Sequence, residues 1–143
     1  MGLRNAEGLT FTNSGRLIAA DNGPRGGDGL DIITEGSNYG WPRVSLGTTY
    51  DSYEFSGGSF SMGKYRSWSH TDPSLVGRII GYTTPLFAWV PSVAPTQLIQ
   101  IQNFDPRSDG DLLVGSMKGS SLFRIRLEDG HVLYSEQSFC SSL

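Results

Sequence analysis

The chain has 143 residues, a formal net charge of −3 and charges scattered along its length. It therefore lacks the basic stripe that nucleic acid or an anionic membrane surface would require. With 37% apolar and 11% aromatic residues, 19 Gly and 7 Pro, the composition suits a globular β protein built on tight turns, with little helix.

A single cysteine, Cys140, excludes an internal disulfide and has no Cys or His nearby with which to hold a metal, so an incidental thiol is its plain reading. No run approaches the ~20 apolar residues of a membrane-spanning helix. No apolar stretch after Met1 resembles a signal peptide.

Residues 9–12 alternate apolar and polar, Asn13-Ser14-Gly15 supplies a turn, and 16–20 resume an apolar run of strand length. A Gly-rich loop at 22–29 leads into the apolar run 30–33, and Glu35-Gly36-Ser37-Asn38 closes the unit. A similar layout returns at 97–101, followed by a turn at 105–110 and an apolar run at 111–115. A loop at 116–120, a strand at 121–127, a turn at 128–130 and a strand at 132–135 complete it. Two copies of strand, turn, strand, loop and strand are the pattern of propeller blades, with a plain β-sandwich as the alternative. Gly15-x-Leu17 against Gly110-x-Leu112 is the best match between the copies. Residues 43–84 show no sustained period, are too long for an ordinary connection, and read as an insert partly packed by Tyr50, Tyr53, Phe55, Tyr65 and Trp68.

Several polar residues stand where they can meet a ligand. Arg4 and Asn5 precede the first strand; an Arg offers a fixed fork of donors and an Asn both donates and accepts, although a turn paired with a neighbouring loop explains them equally. The loop 21–29 can turn carbonyls such as those of Gly23 and Pro24 toward a hard cation, or serve only as a turn. It has neither the carboxylate spacing of an EF-hand, nor a P-loop ending, nor a dinucleotide fingerprint. The Pro-framed segment 85–95 reads as an edge or rim, on which Trp89 can stack on a planar ligand or fill the core and Ser92 can donate. Lys118 lies in a loop and is either solvated or ligand-facing. The histidines, His70 in the insert and His131 beside an Asp-Gly turn, have no partners that mark them as catalytic bases.

Taken together, Gly2-Leu3-Arg4-Asn5-Ala6-Glu7-Gly8-Leu9, Asn22-Gly23-Pro24-Arg25-Gly26-Gly27-Asp28 and Ser37-Asn38-Tyr39-Gly40-Trp41-Pro42, with segments 85–95 and 114–120, resemble the glucose/sorbosone dehydrogenase family. Its soluble members are six-bladed β-propellers that use pyrroloquinoline quinone and calcium. The resemblance implies an all-β fragment of such a propeller, with a first blade at 1–42, an insert at 43–84 and a second blade and tail at 85–143. It also implies oxidation of an aldose sugar to its lactone, an external electron acceptor, and a periplasmic or secreted setting. On this reading Arg4, Asn5, Trp89, Ser92 and Lys118 bind the quinone, while the carbonyls of Gly23 and Pro24 hold calcium. The family's catalytic histidine and paired arginines belong to blades outside this chain, which leaves it incomplete for catalysis. Asp21-Asn22 stands where Glu-His or Glu-Gln is usual, and Gly29-Leu30-Asp31 where Glu-Leu-Asn is usual. Two further readings are a non-catalytic module whose copies join through open propeller edges and a calcium-dependent lactonase-like hydrolase.

Overall fold

The computed structural model describes residues 1–47, 66–67, 81–118 and 120–139. Among them are ten strands and no helix: β1 (Ala6–Phe11), β2 (Leu17–Asp21), β3 (Asp28–Ile33), β4 (Val44–Ser45), β5 (Arg66–Ser67), β6 (Phe87–Trp89), β7 (Pro95–Gln100), β8 (Leu112–Ser116), β9 (Ser121–Glu128) and β10 (His131–Phe139). They form two four-stranded antiparallel sheets, ordered β1-β2-β3-β6 and β10-β9-β8-β7, and one short parallel pair, β4-β5. No helix among the described residues is long and apolar enough to cross a membrane.

Local chemistry sets the hairpins. The β1–β2 turn closes through Thr12, whose N–H donates to the Arg16 carbonyl (2.8 Å) and whose carbonyl accepts from Gly15 N (2.8 Å). Gly15 takes a φ of 78°, a left-handed conformation in which a side chain is penalised. Between β9 and β10 the loop residues Asp129 and Gly130 both have positive φ, 50° and 81°. Asp-Gly with this geometry matches the right-handed twist of the strands it joins.

The outer strand of the first sheet comes from beyond the insert. Asp28, Gly29 and Leu30 of β3 pair with Trp89, Ala88 and Phe87 of β6, so the first sheet ends after Trp89 and not at residue 42. Among the described residues β6 pairs with β3 alone and so lies at the edge of the first sheet. The aromatic residues of the insert, His70 and Cys140 lie outside the described residues.

The two sheets bury alternate residues against each other. Ile18, Ala20, Leu30 and Trp89 of the first sheet meet Leu98, Leu112, Val114, Phe123 and Ile125 of the second in one core. Full burial of such aliphatic side chains contributes about 1.5–3 kcal/mol each before chain entropy is counted. Gly8 lets β1 approach β7 closely, because a Cβ there would lie 2.8 Å from Leu98 N and also strike the Thr96 carbonyl oxygen. On the far face of the second sheet, buried Asp111 accepts from Arg126 Nε (2.6 Å), Arg126 Nη2 (3.1 Å) and the Tyr134 hydroxyl (3.2 Å), tying β10 and β9 to the start of β8.

Candidate functional site

The sheets bring three loops to one rim through a continuous set of hydrogen bonds. Asp21, the last residue of β2, accepts from the backbone N–H of Arg4 (Oδ2, 3.0 Å) and of Asn5 (Oδ1, 2.6 Å). A carboxylate facing two main-chain donors fixes how the chain enters β1. The next residue, Asn22, donates its backbone N–H to the Asn5 carbonyl (3.0 Å) and its buried amide to the Pro95 carbonyl (3.0 Å). Arg4 Nη1 donates to the Asn22 carbonyl (3.1 Å), and its guanidinium lies 5.5 Å from the centre of the Trp41 ring.

Asp28 links the Gly-rich loop to the second sheet. Its side chain is fully buried, with Oδ1 accepting from Gly23 N (2.9 Å) and Oδ2 from Ser92 Oγ (2.8 Å), Val93 N (2.8 Å) and Ala94 N (2.9 Å). The Val93 carbonyl accepts from Ser116 Oγ (2.5 Å) and Lys118 N (3.1 Å), while the Ala94 carbonyl accepts from Met117 N (3.1 Å). The path from Arg4 to Lys118 thus runs through Asp21, Asn22, Gly23, Asp28 and Val93 without a gap.

Gly23 sits where no side chain fits, since a Cβ would lie 2.7 Å from the Gly27 carbonyl oxygen. Residues 46 and 47 close over the same loop: a Cβ on Gly27 would lie 2.8 Å from Leu46 Cβ and also strike Gly47 N. Among the described residues the Gly23 carbonyl accepts no hydrogen bond.

The expected site residues separate into three groups. Arg4 spends one donor on Asn22, and the exposed Lys118 ammonium has no partner among the described residues. Asn5 and Ser92 are engaged by the scaffold, the first through Nδ2 with Glu7 Oε1 (2.9 Å) and the second with Asp28. Trp89, expected to stack on a planar cofactor, instead lies in the core at 6% exposure, in edge-to-face contact with Phe87 (5.1 Å) and Phe123 (5.5 Å). Its large apolar ring points between the sheets because it lies on the same side of its strand as the residues facing Phe123. His131, at the β9–β10 turn, is exposed.

Residue-type reasoning missed Asp28 and Asp31. Asp28 ends the Gly-rich loop and carried little local signal, since three of its four donors come from residues 92–94. Asp31 lies three residues farther along β3, 4% exposed, in a cleft of about 40 Å³ that Arg4, Asp21, Gly23 and Trp41 also line. Such a cleft has room for water or an ion. Among the described residues no group of three or more His, Cys, Asp or Glu is placed to hold a metal, so a cation on this rim would rely on main-chain oxygens.

Burial, reinforced by the negative charge of Asp21, raises the Asp31 carboxyl from 3.8 to about 7. Burial likewise raises Asp21, against the opposing pull of the Arg4 and Asn5 N–H groups. Between pH 3.8 and about 7 the folded chain holds the Asp31 proton more tightly than the unfolded chain. This contribution to stability is fully present below 3.8 and is lost as pH rises through 7. Asp31→Asn is therefore expected to exceed the parent in stability by on the order of a few kcal/mol at pH ~8, with the two converging near pH ~4. Urea unfolding at both pH values measures this; an equal gap at the two would contradict it.

The glucose/sorbosone dehydrogenase family profile matches residues 1–143. The chain is 28% identical over 142 residues to the aldose sugar dehydrogenase YliI of Escherichia coli, covering 92% of this chain and 33% of that protein. It is 44% identical over 45 residues to quinoprotein glucose dehydrogenase B of Acinetobacter calcoaceticus, covering 32% of this chain and 9% of that protein. A crystal structure of a glucose dehydrogenase superposes with a TM-score of 0.75 at 28% identity, over 95% of this chain and 35% of the other. The chain spans about a third of the lengths of the aldose sugar dehydrogenase and of that glucose dehydrogenase. Matched along its whole length by the family profile, the chain belongs to the glucose/sorbosone dehydrogenase family.

Proposed function

We propose that this chain forms part of the quinone-binding rim of an aldose sugar dehydrogenase. The observation that supports this reading is the run of hydrogen bonds and adjoining peptide links that joins the Arg4, Gly23 and Lys118 segments. The donor set fits a planar, polyanionic quinone with a hard cation: two cationic side chains flank a glycine loop whose Gly23 carbonyl is available. Arg4 and Lys118 would hold anionic oxygens of pyrroloquinoline quinone, and the carbonyls of Gly23 and Pro24 would hold calcium beside it. Asn5 and Ser92 act one step removed, keeping the loops in register. When bound, such a quinone supplies two-electron oxidising capacity for converting an aldose to its lactone. This chain contributes binding and orientation. This reading assigns no proton-accepting role to His131, which is exposed at the β9–β10 turn.

Titrating pyrroloquinoline quinone into the protein with calcium present, followed by quenching of tryptophan fluorescence, tests the rim. Lys118→Met removes one charge-assisted hydrogen bond of roughly 1.5–3 kcal/mol, so binding should weaken by about 10–100-fold. A dye-linked glucose oxidation assay on the same samples should show no turnover. Unchanged affinity in Lys118→Met, or sustained turnover by the parent chain, would count against the assignment.

A further inference from the structure

Asn22-Gly23 is the one Asn-Gly step in the chain, the other asparagines being followed by Ala, Ser, Tyr and Phe. Glycine after asparagine leaves the next amide nitrogen unshielded, because no Cβ stands beside it. The step therefore has a chemistry of its own. The nitrogen of Gly23 can attack Cγ of Asn22, forming a C–N bond while the side-chain nitrogen leaves as ammonia with the proton that the Gly23 amide gives up. Water then opens the cyclic imide at either carbonyl and leaves aspartate or isoaspartate at position 22. No oxidant or cofactor takes part.

In the fold both reacting groups are engaged. Gly23 N–H donates to Asp28 Oδ1 (2.9 Å), so its proton faces a carboxylate whose negative charge opposes formation of the attacking amide anion. Asn22 Nδ2 donates to the Pro95 carbonyl (3.0 Å), which fastens the carboxamide to the second sheet. The Asn22 backbone is pinned as well, its N–H on the Asn5 carbonyl (3.0 Å) and its own carbonyl accepting from Arg4 Nη1 (3.1 Å). At 8% exposure, Asn22 also offers incoming water little access.

We propose that Asn22-Gly23 is a self-modification site of this chain, held unreacted by Asp28 and Pro95 while the loops are closed and converted irreversibly to aspartate or isoaspartate once they open. The product cannot close the loops as before. A carboxylate at position 22 has no N–H for the Pro95 carbonyl and sets two acceptors against each other in a buried place. Isoaspartate also routes the main chain through Cβ and lengthens it by a methylene ahead of Gly23. The chemistry belongs to the loop itself and does not depend on quinone or calcium binding.

Ageing the full chain at mildly alkaline pH, with and without denaturing urea, followed by tryptic peptide mass spectrometry, tests this. Residues 17–25 form a tryptic peptide in which Asn22 is the sole asparagine and from which position 28 is absent. Conversion of Asn22 should be at least about tenfold slower in the folded chain than in urea, since opening must first break the bonds to Asp28 and Pro95. Asp28→Asn keeps an acceptor for the second sheet and loses the one facing Gly23 N–H. Its folded form, checked by circular dichroism, should convert Asn22 faster than the folded parent. Asn22→Asp, which installs one product directly, should lower the urea midpoint. Equal rates with and without urea would overturn the proposal, and this comparison uses the parent alone, so it decides even where a variant fails to fold. A folded Asp28→Asn chain no faster than the parent, or an unchanged midpoint in Asn22→Asp, would also overturn it.

Discussion

Asp28→Ala is expected to lower stability by about 3–5 kcal/mol, because it strands four part-buried donors at once around a fully buried carboxylate. Gly23 N, Ser92 Oγ, Val93 N and Ala94 N all converge on the two carboxylate oxygens within 2.8–2.9 Å. For a chain of this size that loss corresponds to a fall of roughly 10 °C or more in melting midpoint. Asp28→Asn should be milder, at about 1–3 kcal/mol. An amide oriented with its oxygen at the Oδ2 position keeps the three bonds to Ser92, Val93 and Ala94 but sets its NH2 against Gly23 N–H. The difference between the two variants thus measures the link to the Gly-rich loop separately from the link to the second sheet. Thermal unfolding followed by circular dichroism reads both. A loss below about 1 kcal/mol in Asp28→Ala would show that Asp28 does not bind the loops together.

The second large effect is expected at Gly8. A Cβ at this position meets backbone on the opposite sheet, lying 2.8 Å from Leu98 N and 2.9 Å from Leu98 Cβ, so the sheets must separate to admit it. Overpacking of this kind typically costs about 1–3 kcal/mol, and because backbone cannot rotate away, Gly8→Ala should fall at or above the upper end. Gly15→Ala provides the contrast. Nothing lies within 4 Å of a Cβ there, and the expected penalty comes from a φ of 78°, worth roughly 1–2 kcal/mol. Gly15→Asn should recover part of that loss, since Asn tolerates left-handed backbone, whereas no side chain should rescue position 8. Urea midpoints for the three variants separate a steric cause from a conformational one. Equal costs for Gly8→Ala and Gly15→Ala would contradict the close approach of β1 to β7.

The features legible in the residues alone were those whose causes are local. Asn13-Ser14-Gly15 and Asp129-Gly130 mark their turns because their backbone conformations follow from residue type, and the strands beside them lie within a few residues of their expected limits. Strand β6 was not legible as part of the first sheet. It has three residues, and its partners Asp28 to Leu30 lie across the whole insert. The fate of Trp89 follows from that pairing: once β6 joins β3, its alternation turns the indole into the core. Asp21 stood out as a departure from the family pattern, and its contacts with the backbone of Arg4 and Asn5 show what the acid does there. Asp28 gave little local sign, since three of its four donors come from residues 92–94.

The loop path links the segments of Arg4 and Lys118, 114 positions apart in the chain. Neither is held by a sheet directly. Arg4 is positioned by Asp21 at the end of β2, and Lys118 by the Val93 carbonyl beside the residues that Asp28 anchors. Loops fastened to rigid strands in this way are where proteins commonly place ligand contacts.

A crystal structure of the protein grown with pyrroloquinoline quinone and calcium is the most direct measurement. Planar density lying between Arg4 and Lys118, with an ion against the Gly23 carbonyl, is the expected result. Density bound elsewhere, or Arg4 and Lys118 facing different sides of the molecule, would contradict it.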